Sequence, residues 1–227
     1  MIKIIKNFFN WNIYNRIISG IFFVTPFIFS IFKGGVFFVL FFIFLLVMVI
    51  YEFNISSKNK VGLPIRFIVV LFFIVSFFHF IFLRIAFDDF IITYLLYIIF
   101  SVWIFDSFSL IGGRLIGGRK LMPRISPNKT YSGLVTGFLS LLIFSILLIF
   151  FYKQNITVIL FTLVIGLISF VGDAIESYCK RFLDIKDFSN FMPGHGGILD
   201  RMDAFILIFI IHFVISILFF NPAIFYG

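Results

Sequence analysis

The chain has 227 residues, of which 62% are hydrophobic, 22% aromatic and only 12% charged, with a formal net charge of +8. About a quarter of an ordinary globular chain is charged, so this composition excludes a water-soluble enzyme and an intrinsically disordered chain. One cysteine, Cys179, excludes an intrachain disulfide and a Cys-based zinc site.

Apolar runs between charged or Gly/Pro breaks predict seven helices: roughly 17–32, 36–51, 63–83, 90–105, 134–152, 156–171 and 204–220. The runs are continuous and lack a two-residue alternation, which disfavours an outer-membrane barrel. Lys3, Lys6 and Arg16 precede the first run, but no small-residue cleavage site follows Phe32. The first run is therefore expected to be a retained helix. The fold class expected is an all-α polytopic integral membrane protein of about seven transmembrane helices.

Basic residues set the orientation. Lys3, Lys6 and Arg16 precede span one, and Lys58, Lys60 and Arg66 follow span two. Arg114, Arg119, Lys120, Arg124 and Lys129 follow span four, and Lys180, Arg181, Lys186 and Arg201 follow span six. Only Lys33, Arg84 and Lys153 fall on the other side. The positive-inside rule makes the richer side cytoplasmic. An odd number of spans then places Asn221–Gly227 outside. Both sizeable loops, about 106–133 and 172–203, face the cytoplasm and are expected to form the active site.

The first loop opens at Asp106, either an interfacial cap or a ligand facing the site. It continues as a tandem copy of Leu-Ile-Gly-Gly-Arg (110–114 and 115–119) and ends in Ser126-Pro-Asn-Lys-Thr130. Glycine and positive charge suit polyphosphate or anionic headgroups, though an ordinary positive-inside loop would look similar.

The second loop is denser. Asp173, Glu176, Ser177, Lys180 and Arg181 fall at helical spacing. If span six continues as a helix they form one polar stripe, with Asp184 continuing it. Pro193-Gly-His-Gly-Gly197 cannot be regular helix. Its glycines would expose N–H groups to a phosphate. Asp200 and Asp203 open span seven, where acids also serve as simple caps. Six acids and four bases within residues 173–203 stand out in a chain so poor in charge. Carboxylates hold a hard divalent ion and Lys/Arg hold the remaining phosphate charge. No Ser/His/Asp or Cys/His set suggests a covalent nucleophile. The chemistry expected is phosphoryl or nucleotidyl transfer by positioning and charge neutralisation.

These residues resemble the phosphatidate cytidylyltransferase (CDP-diacylglycerol synthase) family. The resemblance rests on Ser177-x-x-Lys180-Arg181, Lys186-Asp187, Pro193-x-His195-Gly196-Gly197 and Asp200-Arg201-x-Asp203 in that spacing. Ile125-Ser-Pro-Asn-Lys-Thr130, Gly172-Asp173 and Arg16-Ile-Ile-Ser with Pro26 are similar to further family features. Asn128, Ser132 and Leu110 depart from the common residues in the first loop, and Cys179 and Met192 depart conservatively in the second. The resemblance implies that residues 1–227 form a single membrane-embedded cytidylyltransferase domain. It implies CTP and phosphatidate as substrates, Mg²⁺ or another divalent cation as cofactor, and the cytoplasmic (inner) membrane as location. Asp173 and Asp200 would be metal ligands. Lys180, Arg181, Lys186, Asp187, His195, Arg201 and Asp203 would be catalytic, and Ser126, Lys129, Thr130, Ser177, Gly196 and Gly197 would bind substrate. No nucleic-acid partner is expected, and a homodimer is left open. A relative acting on another lipid, such as a polyprenol kinase-like or archaeal-lipid enzyme, shares the architecture. A small transporter would need ionisable residues inside several spans, and mid-span only His79 and His212 occur.

Overall fold

The computed structural model describes residues 11–86, 88–192 and 196–218. They form seven helices and one short hairpin: α1 (Trp11–Lys33), α2 (Gly35–Ser57), α3 (Leu63–Ala86), α4 (Asp88–Leu115), β1 (Lys120–Met122), β2 (Ser126–Thr130), α5 (Tyr131–Tyr152), α6 (Thr157–Phe182) and α7 (Leu199–Leu218). Every expected span is helical where it is described. Helices α2, α3, α5 and α6, with Ile91–Leu115 of α4, are long and apolar enough to cross a bilayer. Of the other two, α1 has an apolar stretch at Phe22–Lys33, and α7 carries Asp200, Arg201 and Asp203 near its start. This is a multi-pass membrane protein. His195, with Pro193 and Gly194, lies outside the described residues, as does the C-terminal segment expected outside the membrane.

The helices run further than the apolar runs suggest. α2 extends to Ser57, α3 to Ala86, α4 to Leu115 and α6 to Phe182. Glu52 and Arg84 therefore lie within helices rather than in loops. The stop signals are local. Gly34, between α1 and α2, and Gly35, the first residue of α2, take φ of 62° and 50°, a region costly for a residue with a Cβ. Asp184 takes φ of 55° beyond the end of α6. It does not continue the polar stripe as expected, because the helix has already ended.

The chain divides into two compact units. One comprises the described residues of Met1–Ile92 and Phe182–Gly227, the other Thr93–Arg181. In the first, α2 packs with α1, α3 and α7, and α3 packs with α7. Its interior is aromatic: Phe42, Phe77, Phe80 and Phe209 are all at most 2% exposed. Phe77 meets Phe209 edge-on with centroids 5.5 Å apart, a favoured ring geometry. Arg84 is buried and donates from Nε and Nη2 to the Ile31 carbonyl, 3.3 Å in each case. It thereby satisfies one of the carbonyls that the end of α1 leaves without a helical partner.

In the second unit α4 buries Leu95, Ile98, Val102 and Phe105, whereas α5 and α6 pack through small residues. The buried positions of α5 are Gly133, Gly137, Ser140, Leu141 and Ser145, and those of α6 include Thr162, Gly166, Ser169 and Gly172. A Cβ on Gly137 would stand 2.8 Å from the Phe105 ring of α4. Such residues let helix backbones approach closely, which is how helices associate in lipid. Thr162 and Tyr97 hydroxyls meet at 2.8 Å, and Ser169 donates to Asp106 at 3.3 Å. Asp106 thus lies within α4 as a partner of α6, not at the start of a loop.

The tandem pentapeptide takes two conformations. Gly112 and Gly113 are helical, in the last turns of α4. A Cβ on Gly113 would lie 2.9 Å from the Thr130 hydroxyl and 3.6 Å from Gly133 Cα. Gly117 and Gly118 instead adopt φ of 68° and 101° and turn the chain into the hairpin, whose register pairs Lys120 with Thr130 and Met122 with Ser126.

Candidate active site

In the second unit the hairpin and the end of α6 supply the site residues. Thr130 closes β2 and caps α5: its hydroxyl accepts from Gly133 N–H at 3.1 Å, a bond typical of N-caps. Thr130 is buried, so its first role is to fix where the hairpin joins the helix. Lys129, one residue earlier, reaches α6. Its Nζ lies 2.5 Å from Asp173 Oδ2 and 5.2 Å from the Phe170 ring centroid. Ser126 is half-buried in β2. Arg181 Nε donates to the Ile125 carbonyl at 3.2 Å and ties the hairpin tip to the end of α6.

The expected polar stripe of α6 is present. Ser177 donates to Asp173 Oδ1 at 3.3 Å, and Lys180 pairs with Glu176 at 2.7 Å. These are four-residue pairs on one helix face. Asp173 and Glu176 are partly and largely buried, so the carboxylates lie toward the inside of the fold and each has a cation beside it.

In the first unit the segment after α6 carries Lys186 and Asp187, both exposed, then folds back through a bridge in which Met192 N–H donates to the Gly196 carbonyl at 2.8 Å. Asp200 follows in the first turn of α7 and is buried. Its Oδ2 accepts from Gly197 N–H at 2.7 Å and from Phe188 N–H at 2.9 Å. Asp200 therefore holds the segment in front of α7 rather than capping the helix's own first amides. Gly196 has φ of 85°, and a Cβ there would meet Asp200 Oδ2 at 2.8 Å and Asp187 Cβ at 3.3 Å. Gly196 is explained first by this close approach of a carboxylate to backbone. Arg201 is exposed, and Asp203 is half-buried and accepts from Ala204 N–H at 2.7 Å.

The sequence reading missed Glu52. It is the only charged residue in α2, is 2% exposed, and accepts three hydrogen bonds from Ser189, Ile198 and Leu199. The available signal was a lone carboxyl near the end of a 23-residue apolar helix, since ionisable residues in such helices are expensive and usually have a purpose.

The donor set suits a hard divalent cation: oxygen ligands from carboxylates, with no thiol or imidazole among the described site residues. Asp173 already accepts a cation, the Lys129 ammonium.

Comparison with known proteins bears on this arrangement. Residues 7–219 match the model of the family described as "Cytidylyltransferase family". The chain is 34% identical to the protein named phosphatidate cytidylyltransferase of Rickettsia typhi, over 91% of this chain and 92% of that one. It is 33% identical to the protein of that name from Rickettsia prowazekii over the same shares. The similarity to the Staphylococcus haemolyticus protein of that name is 42%, over 51% of this chain. That alignment and the one with the Rickettsia felis protein span only about half of those relatives, 45% and 56%. A match through all seven helices and both polar segments shows that the chain belongs to the cytidylyltransferase family.

Proposed function

We propose that this protein transfers the cytidylyl group of CTP to phosphatidate, giving CDP-diacylglycerol and pyrophosphate, at the cytoplasmic face of the inner membrane. The observation that carries the reading is the pairing of carboxylates with cations at the end of α6, Lys129 with Asp173 and Lys180 with Glu176, in a chain only 12% charged. Together with membership of the family, this is the chemistry of a polyphosphate site on a membrane scaffold.

A phosphate oxygen of phosphatidate attacks the α-phosphorus of CTP. The bond from that phosphorus to the bridging oxygen breaks, and pyrophosphate leaves with the electron pair. The nucleophile is already anionic, so no strong protein base is required. What the protein must supply is alignment and neutralisation of several negative charges. Lys129, Lys180, Arg181, Lys186 and Arg201 supply the positive charge, and Ser126 and Ser177 offer hydroxyl donors. Asp173 and Asp200 would hold a divalent ion, with Asp187 and Asp203 supporting it; bound there, the ion would neutralise phosphate oxygens. His195, Gly196, Gly197 and Thr130 complete the set proposed to shape the substrate pocket. Because Lys129 sits against Asp173, binding of polyphosphate and cation would exchange this internal pair for external partners of the same charges.

The test uses purified protein in detergent–lipid micelles with Mg²⁺, phosphatidate and CTP labelled in the cytidine ring. Label should enter the lipid fraction together with one pyrophosphate per lipid, dependent on phosphatidate and lost in EDTA. Label that stays aqueous while γ-phosphate moves to a polyprenol would assign the kinase-like chemistry instead.

A further inference from the structure

Glu52, Ser56 and Lys60 follow one another at four-residue intervals, so they lie along one face of α2 and the turn after it. All three reach the segment between α6 and α7. Glu52 Oε1 accepts from Ser189 Oγ at 2.6 Å and from Ile198 N–H at 3.0 Å, and Oε2 accepts from Leu199 N–H at 2.8 Å. Ser56 Oγ donates to the Phe188 carbonyl at 3.1 Å, and Lys60 is ion-paired with Asp184. The amides of Ile198 and Leu199 belong to the start of α7, where a helix leaves its donors without internal partners and favours negative charge. Gly197 makes room for this contact: a Cβ there would stand 2.8 Å from Glu52 Cδ and Oε1. From the other side Asp200 takes the amides of Phe188 and Gly197. Two carboxylates from different helices therefore fix successive amides of one segment.

We propose that Glu52 is a positioning residue for cytidylyl transfer: it fixes the segment that presents Asp187 and Gly196 and the helix start that presents Asp200, Arg201 and Asp203. The inference rests on the transfer activity proposed above. A carboxylate at 2% exposure is an expensive way to stop a helix from fraying, since a serine N-cap would serve. What Glu52 adds is a link from a membrane-spanning helix to the middle of the segment, at Ser189, and to the start of α7, at Ile198 and Leu199. A small tilt of α7's first turn would misalign reacting groups without removing any group that contacts substrate, and such losses appear in turnover more than in binding.

The experiment compares wild type, Glu52→Gln and Ser189→Ala, each purified in the same detergent and normalised to folded protein by size-exclusion area and melting temperature. Gln keeps one acceptor oxygen but turns an NH₂ group toward an N–H donor. It should lower kcat by about tenfold or more while KM for CTP and for phosphatidate changes by less than about threefold. Ser189→Ala, which removes the bond to Glu52 and the one that Ser189 Oγ accepts from Phe191 N–H at 3.1 Å, should lower kcat by about two- to fourfold. Limited proteolysis supplies a readout independent of turnover: cleavage within residues 183–198 should accelerate in both variants, with the order of effect the same as for kcat. Unchanged kcat and unchanged cleavage in Glu52→Gln would overturn the proposal. So would a lowered melting temperature with normal kcat per folded molecule, the result of a purely structural role. If wild type performs no cytidylyl transfer, the proposed function falls while the proteolysis still decides whether Glu52 holds the segment. If Glu52→Gln does not accumulate folded, Ser189→Ala decides by the same two measurements.

Discussion

Helices α1, α2, α3 and α7 bury Phe27, Phe38, Phe42, Phe77, Phe80, Phe205 and Phe209, whereas the buried positions of α5 and α6 are mostly Gly, Ser and Thr. The polar segments differ in the same way. The hairpin at 120–130 is fixed mainly by its own backbone ladder and by the Thr130 cap. The described residues between α6 and α7 are fixed largely by side chains, Glu52, Ser56 and Asp200. Ring packing spreads its energy over many contacts and adapts to substitution. Packing of backbone on backbone leaves no slack, and a segment held by two carboxylates depends on each of them.

The sharpest way to break this comparison is to remove charge while keeping shape in both units. Asp173→Asn and Asp200→Asn should each lower transfer by at least about 10²-fold, the scale seen when a preorganised electrostatic group is lost. The double variant should lose little more if both groups serve one ion. Asp200→Asn is the more informative. An Asn oxygen can still accept from Gly197 and Phe188, so these bonds survive and the melting temperature should stay near wild type. A folded but inactive Asp200→Asn separates the charge from the bonds that hold the segment. Near-normal Mg²⁺-dependent transfer in either variant would remove that residue from the metal site.

Packing is tested by Gly137→Leu against Phe42→Leu. The added side chain at Gly137 must enter the space of the Phe105 ring, and overpacking of this kind costs about 1–3 kcal/mol. Phe42→Leu keeps a large apolar group among rings that can shift, and should cost about 1 kcal/mol. The thermal unfolding midpoint in detergent should therefore fall further for the glycine variant. The reverse order would show that the rings, not the small residues, set the tolerance.

These contrasts explain which features were legible in the sequence. Apolar run length located the seven described helices, five of them long and apolar enough to cross a bilayer, because a long apolar run in lipid must satisfy its own backbone. The polar stripe of α6 was legible because residues at i, i+3 and i+4 share a face wherever a helix continues. The ends of α4 were not. Asp106 and Ser109 read as polar loop, yet a helix can carry them when they face neighbouring helices, as Asp106 faces Ser169. Nor could sequence tell the helical glycine pair 112–113 from the turning pair 117–118, since the two pentapeptides are identical and only the contact with α5 differs. Glu52 was hidden for a related reason: its partners, Ser189, Ile198 and Leu199, are more than 130 residues away, so no local spacing announces them.

Lys129 sharpens the comparison at the hairpin. Lys129→Ala removes a charge that pairs with Asp173 at 2.5 Å but no backbone bond of the hairpin. One charge-assisted hydrogen bond is worth about 1.5–3 kcal/mol, so the apparent KM for CTP or phosphatidate should rise by roughly tenfold or more, with a small change in melting temperature. A fall in kcat at constant KM would instead place Lys129 in the transition state only.

The smallest effect is expected at the far end of the segment that Glu52 holds. Asp184 pairs with Lys60, as Glu52 pairs with the start of α7, but the two sites differ in exposure. The Asp184 side chain is 82% exposed and that of Lys60 37%, and a surface ion pair is worth about 0–1 kcal/mol, less in salt. Asp184 also sits at φ of 55°, a left-handed conformation that Asn adopts as readily as Asp. Asp184→Asn should therefore leave transfer within about twofold of wild type and the melting temperature nearly unchanged. Asp184→Ala loses both the charge and the side chain that tolerates this φ, and should be slightly less stable, with the difference persisting at high salt because backbone strain is not screened. A loss at Asp184→Asn comparable to that at Glu52→Gln would mean that the exposed pair, not the buried carboxylate, sets the position of the segment.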